Sequence, residues 1–198
     1  MTERMDNILV SGVGGQGVIL ATDVIAEVFL RAGFDVKKSE VHGMSQRGGS
    51  VLSHVRRGEE VHSPLIPTGT VDALLAMESL EALRYVHTLK AGGYVLYDPV
   101  RIPPQAVTIG QMQYPADIEG DLKRHSDRVY PIPASKTAVE LGNSRVSNAV
   151  LLGGLSVTVE LPSDLWIEVL TDRVPEGAAS VNARAFERGR EVMEGFGE

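Results

Sequence analysis

A glycine cluster beginning at residue 12 limits what this chain can fold into more than any other feature. Gly12-Val13-Gly14-Gly15-Gln16-Gly17 follows the apolar run 7–11 and precedes a segment, 18–32, whose apolar residues recur at Ala21, Val24, Ile25, Val28 and Ala32. The short apolar run predicts a strand buried on both faces. The recurrence at three and four residues predicts an amphipathic helix with Asp23, Glu27 and Arg31 on its outer side, closed by Gly33. With a second strand over 34–40, the opening reads strand, glycine loop, helix, strand, which favours a parallel α/β sheet. Gly12, Gly14 and Gly17 satisfy G-x-G-x-x-G, where missing Cβ atoms let backbone N–H groups and a helix N-terminus approach an anion. A tight strand-to-helix turn that uses glycine for its backbone conformation leaves the same pattern. A dinucleotide site also requires an acidic residue about 20 positions further on, for which Glu40 is only a loose match.

Further along, residues 50–56 alternate apolar and polar side chains, Gly58-Glu59-Glu60 can turn, and 61–66 extends up to Pro67. This predicts a hairpin inserted into the α/β unit and hence a mixed sheet. A strand over 72–77, a helix over 79–90 stopped by Ala91-Gly92-Gly93 and a strand over 94–97 form a βαβ unit. Pro99, Pro103, Pro104 and Pro115 predict a loop over 99–116 with one short strand near 107–109. A helix over 116–124, a strand over 128–131 and a helix over 135–141 ended by Gly142 complete the alternation. Residues 146–160 are apolar round most of a helical circumference and carry Gly153-Gly154, which predicts a helix packed deeply or set in a subunit interface. Ser163 can cap a helix running to 170, and 178–196 forms the last. The expectation is a single domain over 1–198, a three-layer α/β/α fold with a mixed, mostly parallel sheet and a helical C-terminal part.

A second glycine-rich segment, His42-Gly43-Met44-Ser45-Gln46-Arg47-Gly48-Gly49, follows the second predicted strand. Arg47 can grip a carboxylate or phosphate bidentately, or serve an internal salt bridge. His42 can donate a hydrogen bond or exchange a proton near neutral pH, or be structural. His42, Gln46 and Arg47 are therefore the catalytic candidates, and Gly12, Gly14, Gly15, Gln16, Gly17, Gly48 and Gly49 the candidates for a substrate or cofactor pocket. Neither His42 nor Arg47 has a companion triad, and Ser11 and Ser45 lack a nucleophile-elbow setting. His54, His62, His87 and His125 have no metal-ligand spacing, so no metal site is expected. Cysteine is absent, which excludes thiolate-held zinc or iron–sulfur clusters within this chain. Nineteen basic against 26 acidic residues, a net charge of −7, argue against nucleic acid as a partner. No apolar run approaches the roughly 18 residues of a membrane span, so no membrane partner and a cytoplasmic location are expected.

The two loops together resemble the gamma-type domain of the 2-oxoacid:ferredoxin oxidoreductases, in the pyruvate/ketoisovalerate oxidoreductase family. The resemblance is carried by 12–18 and 39–51, and continues through Val55-Arg56, Ser63-Pro64-Leu65-Ile66, 72–81, Gly142-Asn143, 148–156 and 182–186, essentially the full length. His42-Gly-Met-Ser-Gln-Arg places it near the indolepyruvate:ferredoxin oxidoreductase beta-subunit branch. The resemblance implies an enzyme that decarboxylates an aryl 2-oxo acid on thiamine diphosphate, transfers the acyl group to coenzyme A and passes two electrons through iron–sulfur clusters to ferredoxin. It implies that thiamine diphosphate, Mg and 4Fe-4S clusters reside on a large alpha subunit, with ferredoxin reached through that subunit. In that reading this chain is inactive alone and binds no cofactor by itself; its loops help shape a shared substrate or coenzyme A pocket. A free-standing nucleotide-binding or regulatory module, a purely structural subunit, and a subunit of a related phenylglyoxylate, pyruvate or 2-oxoglutarate enzyme are the alternatives.

Overall fold

The computed structural model describes residues 6–42 and 48–197. Among them one sheet is built from β1 (Asn7–Val13), β2 (Asp35–His42), β3 (Ser50–Gly58), β4 (Val71–Ala76), β5 (Leu89–Tyr97) and β6 (Val129–Pro131), in the order β2-β3-β1-β4-β5-β6. β3 is antiparallel to both neighbours and every other pairing is parallel, so β3 alone runs against the rest. The helices are α1 (Val18–Arg31), α2 (Ser79–Tyr85), α3 (Gln105–Thr108), α4 (Ile118–Lys123), α5 (Ala134–Glu140), α6 (Ser147–Thr158), α7 (Ser163–Asp172) and α8 (Glu176–Glu194).

The pleat of the central strands divides the core. Ile8, Val10, Ala73 and Leu75 pack with α1, α6, α7 and α8, whereas Leu9, Leu74 and Ala76 pack with α2 and α4. β4 is buried along its whole length, as the apolar run 73–76 requires of a central parallel strand, and its one charged residue, Asp72, is buried with a partner in Lys90. The α/β/α layering and the mixed sheet expected from sequence are both present.

The hairpin is paired differently from its prediction. β3 lies between β2 and β1, so both its edges are taken and no ladder remains for 61–66. That segment is instead an irregular strap tied down by side chains. Asp35 Oδ2 accepts from the Val61 N–H at 2.8 Å, His54 Nδ1 from the Ile66 N–H at 3.2 Å, and Arg56 donates to the carbonyls of Ser63 and Leu65. The helix expected over 79–90 ends at Tyr85; a 3₁₀ turn follows, and residues 89–93 extend β5, with Leu89 opposite Val71. Lys90 pairs with Asp72 at 2.7 Å, which holds this end of β5 against β4. The strand expected near 107–109 is the turn of α3, whose Val107 and Thr108 N–H groups donate to the Pro104 carbonyl. Ser163 opens α7 directly after Pro162 and makes no capping bond.

Residues Asn148 to Ser156 of α6 are buried throughout, and packing within the chain accounts for its all-round apolarity. Its glycines meet α8. A Cβ on Gly153 would stand 1.9 Å from the Phe186 carbonyl oxygen, and one on Gly189 1.8 Å from that of Val150. The two backbones therefore touch where side chains would hold them apart. Trp166 fills the space beside this crossing, with its ring 6.4 Å from those of both Phe29 and Phe186. Arg57, which the alternation of β3 points into the same layer, is accommodated by lying over the rings of Phe29 and Phe34 at 4.4 and 4.6 Å.

Replacing Gly189 with alanine must push α8 off α6, and overpacking of this kind costs about 1–3 kcal/mol. The melting temperature of Gly189→Ala should fall by about 2–4 °C per kcal/mol; an unchanged value contradicts the backbone contact. The strap is sensitive to pH. Burial pushes the pKa of His54 below its ordinary value, and accepting the Ile66 N–H requires the neutral ring. Between the lowered value and about 6.5 the unfolded chain binds a proton that the folded chain does not. His54 thus contributes stability that is complete above roughly pH 6.5 and is lost as the pH falls through the folded value. Melting curves of His54→Gln should decline less than those of the parent from roughly pH 6.5 to 5, and parallel declines contradict this role.

Candidate functional site

β1 leads through α1 to β2 on one side of the sheet, and β4 leads through α2 to β5 on the other. The carboxyl ends of β1 and β4 therefore flank the point where the winding reverses, the usual ligand crevice of an open α/β sheet. Here the crevice is bridged from within. Gln16 accepts the Val13 N–H on Oε1 at 2.7 Å and donates from Nε2 to the Met77 carbonyl at 2.6 Å, joining the loop after β1 to the loop after β4. Gly12 lies beneath it, where a Cβ would stand 2.8 Å from Val18 Cγ2 and 3.1 Å from Met77 Cβ.

Two hollows open on either hand, and Val13 lines both. The first, about 470 Å³, is lined by Gly14, Gly15, Gly17, Val18, Ile19 and Val51. It lies at the N-terminus of α1, whose N-cap is Gly17 at φ 83° and which no side chain caps. Any residue with a Cβ at position 17 would be strained by that φ and would meet Asn148 Nδ2 at 2.7 Å. The second hollow, about 520 Å³, lies between Gly48, Gly49 and Ser50, the first turns of α2, and the arm at Ile102, Pro103 and Pro104. The Gly14 N–H donates to the Gly49 carbonyl at 2.9 Å, so the two glycine loops are joined.

Two buried carboxylates organise the second hollow. Glu78 Oε2 caps α2 by accepting the Glu81 N–H at 2.9 Å. Its Oε1 accepts the Ile102 N–H at 2.9 Å and the Tyr114 hydroxyl at 2.6 Å, fastening the arm. Burial, and next the Glu78 carboxylate, push the Tyr114 phenol above its ordinary pKa, so it remains a donor. Glu81 Oε2 accepts the Ser50 hydroxyl at 2.5 Å, and Oε1 accepts Arg84 Nε at 3.1 Å. Glu78 and Glu81 were absent from the sequence-based candidates. Their signal is local: an acceptor at N-cap and a glutamate three residues on, directly after an apolar strand.

The expected pocket residues are thus divided. Gly14, Gly15 and Gly17 line the first hollow and Gly48 and Gly49 the second, whereas the Gln16 side chain and Gly12 are turned inward. His42 ends β2 opposite Val51. Gln46 and Arg47, with Gly43, Met44 and Ser45, lie outside the described residues. Glu40, the loose match to a ribose-binding acid, is paired with Lys38 at 2.9 Å, and the same amine reaches Asp23. Among the described residues no group of three His, Asp or Glu side chains is placed to hold a metal ion, and no helix is long and apolar enough to cross a membrane.

The sequence model of the family described as pyruvate ferredoxin/flavodoxin oxidoreductase matches residues 7–192. Indolepyruvate oxidoreductase subunit IorB of Thermococcus kodakarensis is 43% identical over 188 residues, covering 92% of this chain and 93% of that protein. Among solved structures, the gamma subunit of a keto/oxoacid ferredoxin oxidoreductase from Geobacter sulfurreducens superposes with a TM-score of 0.70 at 26% identity, over 96% of this chain and 99% of that one. The 2-oxoglutarate:ferredoxin oxidoreductase of Magnetococcus marinus, solved with 2-oxoglutarate, coenzyme A and succinyl-CoA bound, superposes with a TM-score of 0.76 at 28% identity. That match takes in 98% of this chain but 32% of the longer one.

Gln16→Ala would leave the Val13 N–H and the Met77 carbonyl without their partner, at a cost of about 1–3 kcal/mol for a buried unsatisfied group. Its urea midpoint should fall and exchange of the Val13 amide should quicken; a variant unchanged in both contradicts the bridge.

Proposed function

This chain belongs to the pyruvate ferredoxin/flavodoxin oxidoreductase family, and from that membership we propose that it is the non-cofactor subunit of an indolepyruvate:ferredoxin oxidoreductase. The complete enzyme oxidatively decarboxylates aryl pyruvates to aryl-acetyl-CoA and reduces ferredoxin. The observation that carries this reading is the 43% identity to an indolepyruvate oxidoreductase subunit over nearly the whole of both chains. Residues 1–198 act as one gamma-type domain and work in the cytoplasm, joined to a large alpha subunit through which ferredoxin is reached.

The chain has no cysteine to ligate a cluster, consistent with thiamine diphosphate, Mg and 4Fe-4S clusters residing on that partner. Bound on the partner, thiamine diphosphate would supply an electron sink for the decarboxylation and the clusters a route for electron transfer. This chain's part is to bind and shape. Arg47 grips an anionic group of substrate or coenzyme A bidentately, with Gln46 beside it in sequence as a hydrogen-bonding group. His42 donates a hydrogen bond or exchanges a proton. The glycine backbones of 14–17 and 48–49 allow a ligand or the partner subunit close approach. The bridge made by Gln16 and the pairing of Glu40 with Lys38 both weigh against a free-standing dinucleotide module, which would need the crevice and the acid.

The test is a kinetic comparison of the assembled enzyme on indolepyruvate, phenylglyoxylate, pyruvate and 2-oxoglutarate, with and without Arg47→Ala. Indolepyruvate should have the highest kcat/KM, and Arg47→Ala should leave assembly intact while cutting turnover about tenfold or more. Preference for 2-oxoglutarate or pyruvate would move the chain to a related enzyme, and unchanged constants in the variant would remove Arg47 from the site.

A further inference from the structure

We propose that Glu81 is a positioning residue that fixes the point where the chain leaves the second glycine-rich loop, acting through the hydroxyl of Ser50. The assignment rests on the functional reading above, in which that loop serves the shared site.

Ser50 opens β3 and stands three residues after Arg47. Its hydroxyl donates to Glu81 Oε2, and the Tyr85 hydroxyl, one turn further along α2, lies 3.2 Å from the same Oγ. Glu81 is 4% exposed, and a carboxylate that buried is costly unless its oxygens are bonded. Capping does not account for it, because Glu78 already caps α2. What its two oxygens hold is Ser50 on one side and Arg84 Nε on the other, and both of these residues line the second hollow. The bond to Ser50 is charge-assisted, the stronger kind.

The residue just before is held from the opposite direction, since the Gly49 carbonyl accepts the Gly14 N–H at 2.9 Å. Two successive residues at the loop's exit are therefore clamped, one to the first glycine loop and one to α2. Because Gln16 ties that first loop to Met77, just ahead of α2, the clamp closes a circuit through β1, β3 and α2. Removing Glu81 opens this circuit at Ser50 and leaves the weaker, uncharged contact of the Tyr85 hydroxyl with Ser50 and the Gly49 bond to Gly14 at the loop's exit. In the proposed function a displaced exit shifts the loop that serves the shared site, so the loss falls on geometry.

The experiment uses this chain co-purified with its large subunit and compares Glu81→Ala, Glu81→Gln, Ser50→Ala, the double alanine variant and Arg47→Ala. Amide exchange over 49–52 and the constants for indolepyruvate are read together with the mass of the complex. Glu81→Ala and Ser50→Ala should each speed exchange several-fold and lower kcat/KM roughly tenfold, with the complex intact. Glu81→Gln, which can still accept from Ser50, should restore both to near the parent, and the double variant should be no worse than either single one. Unchanged exchange in Glu81→Ala, independent effects of the two alanines, or no rescue by glutamine would each overturn the proposal. Normal constants in Arg47→Ala would overturn the functional reading instead, and the exchange rates would then judge the clamp by themselves.

Discussion

The carboxamide of Gln16 spans the reversal point of the sheet, and the form of everything around it follows from that span. One short side chain satisfies a backbone N–H at the end of β1 and a backbone carbonyl just after β4. Both groups would otherwise require a ligand or water, so the place where an open α/β sheet ordinarily receives a ligand is already occupied by the protein. Gly12 has to be glycine because Val18 and Met77 close over it. The remaining glycines are displaced outward onto two hollows, one against the first turn of α1 and one between α2 and the arm at 102–104. In the proposed function a site so arranged meets a second protein surface.

That outward site stands on a stiff base. β1 and β4 are central strands with side chains buried on both faces, and behind them α6 and α8 cross at backbone distance through Gly153 and Gly189. Such a crossing leaves little room for sliding, since packed interiors resist displacement of even one methylene. The glycine loops therefore have two kinds of anchorage: the buried framework beneath, and the polar ties of Gly14 to Gly49 and of Ser50 to Glu81 above. Precise placement of binding groups calls for support of this sort.

Much of this was legible in the residues. The strand, glycine loop and helix at the start are unambiguous because the apolar spacing changes from a continuous run to three-and-four recurrence within ten residues. The mixed sheet was legible as well, but the partner of β3 was not, because 61–66 and 35–42 are both plausible strands and only the tertiary arrangement shows that β2 takes the edge. Residues 89–93 look like a helix end because Ala91-Gly92-Gly93 is a helix-stopping sequence; pairing with β4 overrode that local preference. At the site, the glycines stood out by type. Gln16 stood out as well, but as a group for a ligand; that its side chain turns inward depends on Met77, 61 residues away. Glu78 and Glu81 were hidden for a similar reason, since an acid after a strand looks like a helix cap until Ser50 and Tyr114 are brought to it.

Membership of the family and the long match to a three-times-longer oxidoreductase chain agree with the outward geometry: a domain that is part of one chain in one protein is a separate subunit in another. The central claim is that this chain is required for the reaction yet cannot perform it alone. Its most direct test is an anaerobic assay of indolepyruvate- and coenzyme A-dependent viologen reduction, applied to this chain, to its large partner, and to the two produced together. Reduction only in the combined sample is the expected result, whereas full activity of the large subunit without this chain, or no association between the two, would contradict it.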